Sequence, residues 1–153
     1  MTLFHAAERT IVPPQSLAGR VLEGQGHLRY LATPDGLRDA SQRIADAALN
    51  LGCSNVVPVS QNAAGPLAAA TLLNPDLQLV SMDHLWAGEV DKVLLVETVA
   101  VSGHQARAAV ERATEAGATW VGIVVLFPVL GTNELELVEA FELAAADAVY
   151  LAA

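Results

Sequence analysis

"KVLLVETVAVSGHQARAAVERATEAG", residues 92–117, decides the fold. Residues 92–97 are a short apolar run closed by an acid, Glu97. An uninterrupted apolar run of that length predicts a strand buried on both faces. A small-residue segment follows. From His104 onward, Ala106, Val110, Ala113 and Ala116 recur at helical spacing until Gly117, a fitting helix stop. A strand, a polar turn and a helix in that order make half of a βαβ unit.

The same alternation continues on both sides. "TPDGLRDASQRIADAALNLG" (33–52) predicts a helix, with Thr33 before Pro34 at its start and Gly52 at its end. "NVVPVS" (55–60) predicts a buried strand in which Pro58 marks a bulge or a strand start. "QNAAG" (61–65) reads as a turn, and "PLAAATLL" (66–73) as a helix opened by Pro66. "LQLVSM" (77–82) is a strand candidate and "DHLWAGEV" (83–90) a loop. "WVGIVVLF" (120–127) is another apolar strand. Asn133 and Glu136 form a capping-box pattern ahead of a helix, and "AVYLA" (148–152) is a last strand. Residues 1–32 are broken by Pro13, Pro14, Gly19, Gly24 and Gly26, and "HLRYLA" (27–32) suits a short strand. The expectation is one α/β domain, 1–153, with 1–32 as its N-terminal extension and a doubly covered, mainly parallel sheet. Ligands of such sheets sit beyond the carboxyl ends of the strands. The loops after Ser60, Met82, Glu97 and Phe127 are therefore the candidate sites.

Composition narrows the classes of function. Of 153 residues, 53% are hydrophobic and only 5% aromatic, enough for a core packed through small side chains. The net charge of −9 and a single lysine, Lys92, disfavour nucleic acid as a partner. No apolar stretch reaches membrane-spanning length, and the start of the chain lacks a signal-peptide layout, so no membrane partner and a cytoplasmic location are expected. One cysteine, Cys53, excludes a disulfide framework within the chain and reads as a buried, inert thiol.

In "ETVAVSGHQ" (97–105), Ser102 and Gly103 stand where the helix begins. Their backbone N–H groups and the Ser102 hydroxyl form a cup suited to a phosphate. The plainer alternative is an ordinary helix cap with nothing bound. His104 has the same two readings, a phosphate donor or a surface residue at the helix start.

The stretch 93–118 resembles the phosphoribosyl-pyrophosphate (PRPP) binding region of type I phosphoribosyltransferases, which have a Rossmann-like α/β fold. The likeness is nearest to the uracil phosphoribosyltransferases and their Asp-Pro-Met-Leu-Ala-Thr-Gly-Gly-Ser loop. Glu97 falls on the acidic position, Thr98 on the proline, Val99 and Ala100 on Met-Leu, and Val101 on the alanine. Ser102 and Gly103 fall on Thr-Gly, while His104 and Gln105 replace Gly-Ser. Residues 56–82 resemble the family's Val-Pro-Ile-Leu-Arg-Ala-Gly strand, loop and helix, and residues 124–153 the stretch after the PRPP loop.

The resemblance implies that Glu97, as the catalytic-position acid, holds ribose hydroxyls. It implies that Thr98, Val101, Ser102, Gly103, His104 and Gln105 hold the ribose phosphate, and that Gln61 and Asn62 form the pyrophosphate loop. Three departures accompany it. Gln61 stands where the family has an arginine, "DHLWAGEVD" is too short for the family's lid, and the base-reading segment that follows in the uracil enzymes is missing after "YLAA". The implied protein is a degenerate relative that binds a phosphorylated ribose or nucleotide weakly, in the manner of a pseudoenzyme. The alternative is an active, uracil-like nucleobase phosphoribosyltransferase of nucleotide salvage, using PRPP and magnesium. A homodimer is expected from the family habit, the apolar composition and Trp86. Asp83, His84 and Glu89 have metal-ligating side chains without ligand-like spacing, so a solvated loop is the favoured reading and any metal stays unknown.

Overall fold

The computed structural model describes residues 17–85, 90–100, 104–128 and 149–152. Among these residues five helices, α1 (Leu17–Leu31), α2 (Pro34–Leu51), α3 (Gln61–Leu73), α4 (Met82–Leu85) and α5 (His104–Glu115), accompany five strands. The strands are β1 (Asn55–Pro58), β2 (Gln78–Leu79), β3 (Lys92–Ala100), β4 (Trp120–Pro128) and β5 (Val149–Ala152). They form one sheet in the order β2-β1-β3-β4-β5, with every pairing parallel. The protein is thus α/β with a parallel sheet. Strand order reverses between β1 and β3, where open α/β sheets open a crevice for ligands.

β3 lies at the centre, and its side chains alternate between two buried clusters. Val93 and Leu95 join Val57, Ile123, Val125 and the apolar face of α5. Leu94 and Val96 join Val56, Val124, Leu126 and the inner faces of α2 and α3. Leu94, Leu95 and Ile123 are fully buried; burial of each such side chain stabilises by about 2 kcal/mol.

The caps of α2 form as the sequence predicts. The Thr33 hydroxyl accepts from Gly36 N at 3.0 Å, and Gly52 ends the helix at φ 62°, where its N–H reaches the carbonyls of Ala48 and Leu49.

Several expectations are corrected. Residues 27–31 are helical and not a strand, since they extend α1, whose Leu31 packs into the α2 cluster. "QNAAG" is no turn, because α3 begins at Gln61 and leaves Pro66 at its sixth position, inside the helix. There Pro66 removes the hydrogen bond that the Asn62 carbonyl would otherwise receive. The strand expected over 77–82 shrinks to two exposed residues, and Met82, Asp83 and His84 enter the one-turn α4. Glu97 does not end its strand: β3 runs on to Ala100 because its ladder with β4 continues through Val99–Phe127 and Ala100–Pro128. The expected helix after Asn133, together with Trp86, Glu89, Val101, Ser102 and Gly103, lies outside the described residues.

Candidate functional site

β1 and β3 part company at the carboxyl rim. β1 ends at Pro58, opposite Val96, and its last bond to β3 is Val59 N to Val96 O at 2.9 Å. Backbone groups in a strand alternate sides, so the next donor of β3 facing β1 is Thr98 N. With β1 gone, that N–H donates instead to Glu97 Oε1 at 2.9 Å. The Ser60 hydroxyl donates to the same oxygen at 2.9 Å. Ser60 is the N-cap of α3, in extended backbone, yet its side chain caps nothing in the helix. A hydroxyl that ordinarily serves the first helical turn is thus given to the carboxylate.

Glu97 is only 2% exposed and Thr98 1%. Burial pushes the Glu97 carboxyl above its ordinary value; hydrogen bonds from Ser60, Thr98 and Val99 pull the other way without overcoming it. The result is a desolvated carboxyl group, accepting from two donors, in a cleft of about 400 Å³.

Four elements wall it. The first turn of α3 supplies Gln61 and Asn62, the end of β3 supplies Thr98 and Val99, and α5 contributes Gln105. The fourth is α1, through Gly24, Gln25 and Leu28. α1 is held on the rim by ring contacts: His27 stacks on Phe127 with centroids 4.4 Å apart, and Tyr30 meets the same ring edge-on at 6.2 Å. From α2, the Arg43 guanidinium covers that ring at 5.1 Å and donates to Leu126 O at 2.7 Å.

The structure therefore brings together Glu97, Thr98, Gln61, Asn62 and Gln105 of the sequence-derived set. Gln61 and Asn62 do so as a helix start and not as a loop. His104 opens α5 and is exposed. Sequence reading passes over several lining residues, Ser60, Gln25 and Leu28 among them. Ser60 carried a usable signal, a serine directly before a helical run. Gln25 and Leu28 carried none, because α1 is rich in glycine and weakly amphipathic.

Among the described residues, no group of three or more His, Cys, Asp or Glu is placed to hold a metal ion. Cys53 is buried, its thiol pushed up by burial, with Sγ 3.5 Å from Asn55 O. A protonated, enclosed thiol is a packing residue and not a nucleophile. No described helix is long and apolar enough to cross a membrane. Compared with protein-family models and with curated proteins, the chain matches none.

Proposed function

We propose that this chain is a type I phosphoribosyltransferase-like protein, akin to the uracil enzymes, that holds a phosphorylated ribose or nucleotide without transferring it. On this reading the sheet is doubly covered in the manner of that family, the protein is cytoplasmic and it acts as a homodimer.

One observation carries the reading. A buried carboxylate, Glu97, stands in a cleft at the strand-order reversal, beside the starts of α3 and α5. Hydroxyl groups of a pentose are donors, and a buried carboxyl oxygen away from bulk water rewards them strongly. The start of α5 suits a phosphate, through N–H groups and the helix dipole. Catalysis is left out of the reading because Gln61 brings no charge to a pyrophosphate leaving group.

Isothermal titration with ribose-5-phosphate tests the proposal. Binding is expected, weakened about tenfold or more in Glu97→Gln. No heat with the wild-type protein overturns it. Incubation with PRPP, magnesium and uracil is expected to yield no nucleotide; turnover would establish the active alternative instead.

A further inference from the structure

The walls of the cleft differ in how they are held. α3 follows directly on β1, and the end of β3 is paired with β4 as far as Ala100–Pro128. α1 stands outside this strand–helix alternation and meets the rest of the described chain only through Ala32 and Thr33. Of its described side chains, those of residues 22–31, Leu31 alone is buried, while His27 and Leu28 are half-buried. Leu22 is 64% exposed and Tyr30 41%.

The sequence of α1 is also a poor helix former. Its 15 residues include Gly19, Gly24 and Gly26. A helix of this length is marginal by itself even without glycine, so α1 is helical because it is docked. Gly26 is not required by its surroundings, since a Cβ there would meet nothing within 4 Å. Nor does its backbone require glycine, because positive φ among the described glycines falls on Gly52 and Gly117. Gly26 weakens the helix and gains nothing in packing.

Two seats hold α1 in place. The Phe127 ring takes His27 face to face and Tyr30 edge-on. Gly36, in the first turn of α2, lets the Tyr30 carbonyl come so near that a Cβ would collide with its oxygen. Beyond this joint α2 is capped from its own side. The Thr33 hydroxyl accepts from Gly36 N, and Pro34 has no N–H to satisfy. α2 therefore keeps its start when α1 leaves, and only the Thr33 bonds to Tyr30 O are lost.

We propose that α1 is the gate of the cleft. It undocks from Phe127 and Gly36 and melts as one unit, which opens the side formed by Gly24, Gln25 and Leu28, and it refolds when a ligand is held against Glu97. The identity of that ligand rests on the ribose-binding reading above; the opening of α1 does not.

Hydrogen–deuterium exchange of the full chain, read over residues 22–31 and over α2 and α5, tests the gate. In the wild type, 22–31 is expected to exchange on the order of tenfold faster than α2. Gly26→Ala, outside the cleft lining, should slow 22–31 about fivefold, the difference in helix propensity between the two residues. Phe127→Leu should speed it on the order of tenfold, through the loss of two ring contacts. Gly36→Ala, which pushes on the Tyr30 carbonyl, should act in the same direction and serves if Phe127→Leu does not fold. Exchange in α5 and in the body of α2 should hold throughout. Saturating ribose-5-phosphate should slow 22–31. The gate is overturned if α1 is as protected as α2 in the wild type, if 22–31 ignores these substitutions, or if ribose-5-phosphate binds without slowing it. If the substitutions act as stated and ribose-5-phosphate does not bind, the ribose reading falls and the gate stands.

Discussion

At the amino rim of the sheet, Lys92 reaches back over the end of α2 and donates to the carbonyls of Leu51 at 3.0 Å and Gly52 at 3.1 Å. Its ammonium lies 4.6 Å from the centroid of the Trp120 ring, and Trp120 folds over Gly122, its neighbour on the same face. Asn55 Nδ2 donates to Lys92 O, and Thr119 N and Oγ1 both donate to Asp91 O. At the carboxyl rim, β1 leaves while β3 continues, and a carboxylate fills in for the missing strand with a cleft in front of it. One rim carries a cation matched to the negative end of a helix. The other keeps an acid away from water beside a space for a ligand. The contrast locates function: polar groups at the closed rim complete backbone hydrogen bonding, whereas Glu97 at the open rim is held in a costly state that packing alone does not require.

The largest effect is expected at the closed rim. A Cβ on Gly122 would lie 2.5 Å from the Trp120 ring and 3.1 Å from Leu94. Gly122→Val should therefore cost about 3 kcal/mol through overpacking. In a chain of this size that lowers Tm by on the order of 10 °C in a melt followed by circular dichroism. An unchanged Tm would mean that the Trp120 ring is not fixed over Gly122.

Lys92→Met ranks second, at about 2 kcal/mol, because two carbonyls lose a charged donor and the ring loses its cation. Urea unfolding would measure it, and ribose-5-phosphate affinity should stay near the wild-type value, since Lys92 is remote from the cleft. A parallel loss of binding would mean the two rims are coupled.

Glu97→Gln is read in its pH profile. The folded carboxyl titrates above its unfolded value, so the folded state holds the proton more tightly. Wild-type stability from this group is greatest below the ordinary glutamate value, about pH 4, and falls as pH rises through the folded value. The glutamine variant lacks that fall, so its Tm relative to the wild type should climb between about pH 4 and pH 7. A flat difference would show that the carboxylate is not desolvated.

Ser60→Ala should cost about 1 kcal/mol, since it takes a donor from a buried acceptor while helix α3 loses no side-chain cap. It should also raise the Glu97 carboxyl further, moving the pH profile upward. The smallest effect belongs to Arg107→Ala: its pair with Glu111 is exposed at both ends, and a change below about 0.5 kcal/mol is expected.

The central β3–α5 unit, the α2 caps and β4 were legible from residue order because their signals are local. They lie in unbroken apolar runs, in Thr33 before Pro34 and in Gly52 after a helical period. Local signals failed at the margins. Pro66 reads as a helix start because its ring suits a first turn, yet here the preceding five residues are already helical, so the penalty at Asn62 is absorbed within the fold. "HLRYLA" alternates like a strand, but a strand needs a partner; packing against α2 and Phe127 makes it helical instead.

The site divides along the same line. The sequence by itself determined that Glu97 follows an unbroken apolar run, that the chain is poor in cations, and that Gln61 and Asn62 are uncharged. These are properties of residue type, and no fold can alter them. Only the tertiary structure decided that β1 stops short of β3, that Ser60 turns its hydroxyl to Glu97, and that α1 walls the cleft. Each depends on which backbone groups find partners across the sheet. Such pairing joins residues 37 apart, as at Ser60 and Glu97, or 83 apart, as at Arg43 and Leu126, and no local pattern encodes it.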